Sequence, residues 1–582
     1  DYSLYVSPAG NATELCDSDE NPCGSIQTAV AMIPSDAEEL QLLLMGGTYS
    51  GTQNIGVTFP SSLSAITVDS EDDDNDVIFD CSTVAGSTAL SFKGNYSSVE
   101  VNRFLVQNCN GGVSYTTTKE GQSLSVYKIN FVNVNNGVSF SGSVLEVEEC
   151  QFTTSAVAVA VTNGTEIIVE NSDFTGATQY SITVDTIGSE SIGIYSCTFE
   201  YTAGLNFAVT PAFFNETGWV ELSGDIEDCT FNEIAAPAAA AISFTDSQWS
   251  VEDCLILNIR TSSVIYYNGN NNMTSSLLVE DSEITGIQTG IYFNAPGELE
   301  VRSGSISTIG NNIHIEGASS FLLHDDLVLM EGGNSLYVVT NDVTVARISE
   351  TAFKNTGPAT FVVSSGFQCT VGTGDSPVTF DFSRGRAFNI SGGSWGFNNI
   401  AINNPPRIDG NGGVFYLSKA IDNTRTSFDF SSVCISGASA SGYGGAVYVD
   451  SSYINFEACT FENNSATAGG AVFANNVANN SFSFKHSEFT GNVASGNGGA
   501  ISLMSTESGV MTFVKDSDFD GNTAVNGAAI SCCDGPGCEI TVIFPNDDSS
   551  SMENNVNTSN STSSADITCA TVNSPFVTAS WP

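Results

Sequence analysis

Cleaving a sugar backbone needs at least two titratable side chains at a fixed separation, one of them held protonated. This chain of 582 residues offers few: its three histidines, His314, His324 and His486, have no glycine beside them. Asp325-Asp326, directly after His324, is the nearest approach to paired carboxylates and stands alone. Arg384 and Arg386, in Asp381-Phe382-Ser383-Arg384-Gly385-Arg386, form a close basic pair with no carboxylate constellation around it. The expectation is no catalytic residue, no cofactor and a protein that is not an enzyme. Metal chemistry is suggested at Ser70 to Asp76, where Asp72, Asp74 and Asp76 resemble an ion loop but the glycine of an EF-hand loop is missing. That stretch reads first as a surface loop and second as a Ca²⁺ site.

Fifteen cysteines without Cys-x-x-Cys spacing or clustered His point to disulfides rather than zinc. Cys16 and Cys23 are expected to close a loop near the start. Cys197, Cys229 and Cys254 recur at matching positions, and bonded cysteines or a stack of free buried thiols are equal readings. Cys434 and Cys459, each ten residues before a Gly-Gly, are expected to bond. Cys532, Cys533, Cys538 and Cys569 are expected to staple the end, with one thiol of the odd total left over or paired with another chain. Ten Asn-x-Ser/Thr sequons, at Asn11, Asn95, Asn163, Asn215, Asn272, Asn389, Asn463, Asn479, Asn557 and Asn560, are N-glycosylation candidates. With the cysteines they indicate a secretory route and an extracellular or cell-surface location. The chain opens on Asp1 without Met, as a processed protein would, and has no apolar run of 18 residues for a membrane span.

These residues must be held by something, and the scaffold is legible as a repeat. An aliphatic residue, two polar residues, Cys or Ser, any residue, then Phe or Ile recurs as Val147 to Phe152, Val169 to Phe174, Ile194 to Phe199, Ile226 to Phe231, Val251 to Ile256, Val279 to Ile284 and Val301 to Ile306. It returns at Phe456 to Phe461, Phe484 to Phe489 and Val514 to Phe519. A period of about 20 to 50 residues is the mark of a stacked repeat. Positions one and four cannot share a face of one continuous strand, so the polar pair between them predicts a bend joining two short strands. The result is one turn of a parallel β-helix. Phe152, Phe174, Phe199 and Phe231, followed by Ile256, Ile284 and Ile306, then form one inward column, and the Cys/Ser position forms another. Glu149, Asp228, Asp253, Asp281 and Asp516 form an acidic outer corner, read as a solvated face before a calcium site. Some 20 rungs at the ~4.8 Å strand spacing predict a rod on the order of 100 Å long.

Ser25 to Ile33 places Ile26, Ala29, Val30 and Ile33 on one helical face, a short amphipathic helix capping the first rung, with Ser25 as N-cap. Residues 1–50 are expected to be the N-terminal cap and first strands, 51–544 the β-helix, and 545–582 a Ser/Thr/Asn-rich tail. The opening, with Cys16, Cys23, a short helix and Gly46-Gly47-Thr48-Tyr49, resembles the start of pectin-lyase-like right-handed β-helix proteins. Residues 411–531 are closer to the polymorphic outer-membrane protein repeat, marked by Gly-Gly-Ala-Ile and Phe-x-x-Asn. Here these marks read Gly444-Gly445-Ala446-Val447, Gly469-Gly470-Ala471-Val472, Gly498-Gly499-Ala500-Ile501 and Gly527-Ala528-Ala529-Ile530, alternating with Phe461-Glu462-Asn463-Asn464, Phe489-Thr490-Gly491-Asn492 and Phe519-Asp520-Gly521-Asn522. The resemblance implies an all-β, single-stranded right-handed parallel β-helix in a secreted or surface-displayed adhesive or structural protein.

With 15 Lys plus Arg against 65 Asp plus Glu, the formal charge of −50 excludes nucleic acid as a partner. The expected function is a secreted structural glycoprotein that self-assembles, or joins other matrix proteins, in a coat, matrix or filament such as a flagellar hair. The alternative is an adhesin binding glycan or protein through lateral loops near 60–80, 200–225 and 365–410, with Trp395 and Phe397 placed to stack on a sugar or to pack inward. A polysaccharide lyase or hydrolase is the third reading.

Overall fold

The computed structural model describes residues 2–11, 16–71, 76–153, 156–186, 191–209, 223–234, 240–269, 275–340, 345–354, 356–364, 366–372, 378–381, 385–420, 424, 426–477, 482–505, 510–532, 540–544, 549–558, 567–569 and 571–573. It divides into two units, Asp1–Pro296 and Gly297–Pro582. Each is an all-β parallel solenoid of the right-handed type.

In the first unit one turn runs through three short strands: Val144–Glu148 in sheet 1, Gln151–Thr153 in sheet 2 and Val157–Thr162 in sheet 3. Each strand pairs in parallel with its counterpart one turn later, Val147 opposite Val169, Phe152 opposite Phe174 and Val159 opposite Ile182. Alternation along each strand sends the aliphatic or aromatic residue inward and the polar one outward. The inward Phe column is present as expected: Phe131, Phe152, Phe174, Phe199 and Phe231 stack at 4.7, 4.8, 4.7 and 4.6 Å between ring centroids, tilted by no more than 9°. Phe231 is then opposite Ile256, and Ile256 opposite Ile284.

The expected bend between sheets 1 and 2 has a specific conformation. Glu149, Asn171, Ser196, Asp228, Asp253 and Asp281, each the second residue of the polar pair, have φ of 49°, 50°, 51°, 55°, 51° and 47°. A left-handed L-residue costs roughly 1–2 kcal/mol, least for Asn and Asp, so this corner needs support. The next residue supplies it: Cys150, Cys197, Cys229 and Cys254 direct Sγ at the carbonyl two positions back, at 3.3, 3.3, 3.2 and 3.2 Å. Ser172 and Ser282 make the same bond at 2.9 and 2.8 Å. The Cys/Ser column is therefore a row of corner braces.

The second unit repeats the cross-section with other side chains. Here the corner after the inward Phe carries Asn463, Gly491 and Gly521 at φ 54°, 64° and 65°. A buried asparagine follows each. Asn492 Nδ2 donates to Phe461 O at 2.9 Å and to Asn522 Oδ1 at 2.9 Å, while its Oδ1 accepts from the N–H of Asn464 at 3.0 Å. Asn464 and Asn522 repeat the pattern, and the ladder ends on Asn555. The Gly-Gly pair is equally determined: Gly469 has φ 62°, and a Cβ on Gly470 would lie 2.1 Å from Gly499 O. Nothing larger than glycine fits beneath that carbonyl.

Two segments differ from expectation. The stretch from 545 expected as a tail carries short strands, Ser551–Glu553 and Val556–Asn557, paired with Asp518–Asp520 and Thr523–Ala524. Its Asn555 and its serine hydroxyls, Ser549 on Asp516 and Ser551 on Asp518, replace the apolar side chains whose absence made it look unstructured. Near the start, Ile26–Ala31 is a helix of 6 residues, with Ser25 accepting from the Thr28 N–H and Ile26 and Ala29 buried. Ile33 lies beyond it, so the predicted apolar face is shorter than four residues.

Candidate interaction surfaces

Among the described residues the inward positions are filled by core and braces, so the groups open to a partner are outward residues and corners. The thiol column shows why. Cys150, Cys197, Cys229, Cys254 and Cys459 are free and buried. Burial pushes the Cys150 thiol up to about 12 and the Cys459 thiol up to about 11. The neighbouring thiols Cys197 and Cys229 are the first cause of the upward shifts of Cys229 and Cys254, ahead of burial. Such thiols are poor nucleophiles and poor metal ligands. Of the two readings left open for Cys197, Cys229 and Cys254, the unbonded one holds, since each sulfur faces its own corner carbonyl.

The expected bond between Cys434 and Cys459 is absent; both are free. Cys434 is opposite Thr460, one residue out of step, so it stands half-buried on the outer side while Cys459 points inward. The equal distance to Gly-Gly misled because the first of these turns carries one extra residue: the bridges Ser439 to Ser465 and Tyr443 to Ala468 span four steps on one side and three on the other. Cys16–Cys23 and Cys532–Cys569 are bonded, with Cα separations of 5.3 and 4.8 Å. Cys533 and Cys538 lie outside the described residues. Cys81–Cys109, at 4.9 Å, was not anticipated. Its signal was faint: Cys81 follows inward Phe79 by two residues and Cys109 follows inward Val106 by three.

The sequence candidates for catalysis are scattered. His324 Nε2 is 2.9 Å from Glu300 Oε1 and its Nδ1 2.9 Å from Asp325 Oδ2, on the outside of sheet 1. Arg302 shares the same Glu300 oxygen at 3.9 Å. This is an imidazole clamped by carboxylates on a flat strand surface. His314 lies on sheet 3, 3.1 Å from Glu316, and its pKa is lowered by burial with Glu316 opposing. His486 occupies a first corner, 3.7 Å from Asp516. Trp395 is buried, donates Nε1–H to Gly392 O at 2.8 Å and packs against Phe361 and Phe367, and Phe397 is buried too, so neither offers a platform for a sugar. Arg384, Asp72 and Asp74 lie outside the described residues; Asp76 is exposed. Among the described residues no three His, Cys, Asp or Glu side chains are grouped to hold a metal, and no helix is long and apolar enough to cross a membrane. Two of the expected lateral loops shrink likewise, since 60–80 and 365–410 contain strands such as Ala65–Ser70 and Ser394–Asn398, while 210–222 of the third lie outside the described residues. Of the sequons, Asn11, Asn95, Asn163 and Asn463 are exposed and Asn389 and Asn557 half-buried, while Asn215, Asn272, Asn479 and Asn560 lie outside the described residues.

Among the described residues three regions stand out. The first is a cleft of about 480 Å³ in the first unit, lined by Asn108, Asn110, Asn133 and Asn135 beside the Cys81–Cys109 bond. Its amides are ordered in rows: Asn133 Nδ2 donates to Asn108 Oδ1 at 2.9 Å and Asn108 Nδ2 to Asp80 Oδ1 at 3.1 Å. Those bonds, with the Ser82 N–H first among them, hold the Asp80 carboxyl below its ordinary range. The second is the outer row of sheet 1, where Glu148 and Glu170 are neighbours and Glu227, Glu252 and Glu280 follow one another in register. Burial, then Glu170, Glu149 and Glu146, raise the Glu148 pKa. The third, in the second unit, is the open end of an aromatic row: Tyr448 and Phe473 are buried, while half-buried Tyr416 stacks on Tyr448 and has the Arg386 guanidinium 5.1 Å from its ring centre.

Among known proteins, the family model described as the Chlamydia polymorphic membrane protein (Chlamydia_PMP) repeat matches residues 486–503. That segment is most of one turn of the second unit, from the His486 corner through Phe489, Gly491 and Asn492 to Gly498-Gly499 and Ile501. No curated protein matches the chain. Of solved structures, pectate lyase Pel9A is similar at a TM-score of 0.22 and 12% identity, over 64% of this chain and 79% of that one. A rhamnogalacturonan lyase is similar at a TM-score of 0.26 and 12% identity, over 61% of this chain and 87% of that one.

Proposed function

We propose that this chain is a structural protein of the cell surface or extracellular space, a disulfide-bonded and N-glycosylated β-helical scaffold that self-assembles in a coat, matrix or filament. The observation that carries the reading is how the periodic side chains are used. Phe, Cys/Ser, Asn and Gly at each repeat position have a partner one turn away, which suits a scaffold built for stacking. The cystines and exposed sequons support an oxidising compartment, and the matched repeat belongs to a family named for membrane proteins. In this reading the helix Ile26–Ala31 covers the open edge of the first turn, where unpaired strand groups need protection. Negative-stain microscopy of native material tests the proposal: ordered polymers are expected, and strictly monomeric particles at high concentration would overturn it.

The amide-lined cleft favours a second reading, an adhesin holding a neutral saccharide through asparagine donors and acceptors. Saturable binding on a glycan array that Asn133→Ala and Asn135→Ala abolish would support it; an unchanged array would remove it.

A further inference from the structure

The basic residues of this acidic chain are unevenly placed. Residues 384–425 hold Arg384, Arg386, Arg407, Lys419 and Arg425, five of the 15 Lys and Arg, against only Asp409 and Asp422. Three of these cations lie in the described part of the second unit. Arg386 sits over Tyr416, and its Nη2 is 4.0 Å from where a Cβ on Gly410 would be. Arg407 is three residues before Gly410 and exposed Lys419 three residues after Tyr416, each within roughly 10 Å along the chain. No carboxylate of a described residue pairs with any of the three, nor with Lys93, Lys119, Lys354 or Lys485, which are scattered along the chain, whereas Arg103, Lys128, Arg260 and Arg302 each have one. Beside them Tyr443, 43% exposed, stacks on Phe473 at 4.6 Å. Cations next to exposed aromatic surface are the composition of a contact patch.

The first unit carries the complement. Its sheet 1 presents Glu148 and Glu170 as one registered pair and Glu227, Glu252 and Glu280 as a registered run. Neighbouring strands repeat at about 4.8 Å, so this strip offers a carboxylate at nearly every step to cations carried on two adjacent turns, Arg386 on one and Arg407 and Lys419 on the next. We propose that Arg386, Arg407 and Lys419 of one copy dock against the Glu148–Glu280 strip of a second copy. The contact is heterologous, because patch and strip are different surfaces, and such contacts propagate as open filaments unless the rotation closes a ring. This deepens the self-assembly reading above and rests on it. Charge complementarity also explains how copies of net charge −50 associate: the local attraction acts at contact distance, where salt screens it less than the repulsion between distant charges.

The test uses the full chain at physiological ionic strength, with sedimentation velocity and negative-stain microscopy. Patch reversal (Arg386→Glu, Arg407→Glu, Lys419→Glu) and strip reversal (Glu148→Lys, Glu227→Lys, Glu252→Lys) are each expected to weaken assembly at least about tenfold. Circular dichroism and thermal melts check that both fold. Mixed one to one, the two variants should assemble again, since each then meets an opposite partner. If wild type polymerises and either variant does so equally well, the docking assignment fails while the self-assembly reading stands. If wild type never assembles, both fail. Failure of the mixture to recover, or dextran sulfate binding lost on patch reversal with assembly unchanged, also overturns it, the latter in favour of an anionic saccharide.

Discussion

The corner after the inward Phe is closed in two ways in this molecule, and the contrast is instructive. In the first unit a left-handed residue is followed by an apolar or hydroxyl side chain, as in Asn133-Val134, Tyr201-Thr202 and Glu233-Ile234. In three consecutive turns of the second, Asn463-Asn464, Gly491-Asn492 and Gly521-Asn522 place a buried amide there, while the preceding corner of that unit, Gly437-Ala438, is apolar. An apolar filler asks only for volume, whereas an amide asks for partners on both neighbouring turns. Each amide of the Asn464, Asn492 and Asn522 ladder has them, so every backbone group at that corner is satisfied. The apolar corners tolerate variation; the asparagine ladder enforces register.

Breaking the ladder is expected to have the largest effect. Asn492→Leu keeps the volume but strands the Asn464 N–H and the Phe461 carbonyl, for a loss of about 4 kcal/mol at ~1–3 kcal/mol per unsatisfied group. Ile234→Val in the first unit keeps an apolar corner filler and should lose only about 1 kcal/mol. Urea melts with amide hydrogen exchange around each site decide it, and equal losses would end the contrast. Next comes Gly470→Ala, whose new methyl meets the Gly499 carbonyl and should cost about 3 kcal/mol; its exchange footprint should cover the adjacent turns.

Reduction of Cys81–Cys109 should cost the first unit about 3 kcal/mol by the loop-entropy argument, read as faster exchange near Asp80 and Gln107. By contrast Cys229→Ser should change stability by less than about 1 kcal/mol, because Ser172 and Ser282 already brace the same corner. Dependence on pH should separate the units. Asp80 has a folded pKa below its unfolded value, so its contribution is present above the usual carboxylate range and lost as pH falls through the folded pKa. For His314 in the second unit, burial lowers the pKa of a base. Its neutral form favours the fold, and that stability is lost as pH falls below the unfolded value near 6.5. The second unit should therefore begin to weaken at higher pH, a trend that His314→Phe would remove and Asp80→Asn would leave in place.

Reading residues 147–152 against their repeats was sufficient for the bend, the Phe column and the Cys/Ser column, because each depends on alternation and spacing within a dozen residues. The disulfides were legible only in part. Cys16–Cys23 closes a local loop that spacing can show. Cys434–Cys459 depended on a register that one inserted residue shifted, and that insertion lies in a loop with no periodic pattern. The surfaces were less legible still. Arg384 and Arg386 were visible as a pair, but Arg407, Lys419 and Tyr416 are brought near Arg386 only by the coil.

What the amino-acid sequence determined by itself is the cross-section: which residue points inward, where the chain turns, and why glycine and asparagine recur. Those are nearest-neighbour properties, set by backbone sterics and side-chain period. What only the tertiary structure decided is which sulfurs meet, which asparagines share a cleft, and which cations stand without a carboxylate. Those depend on the lengths of the loops between strands, and a change of one residue there moves a side chain to the other face.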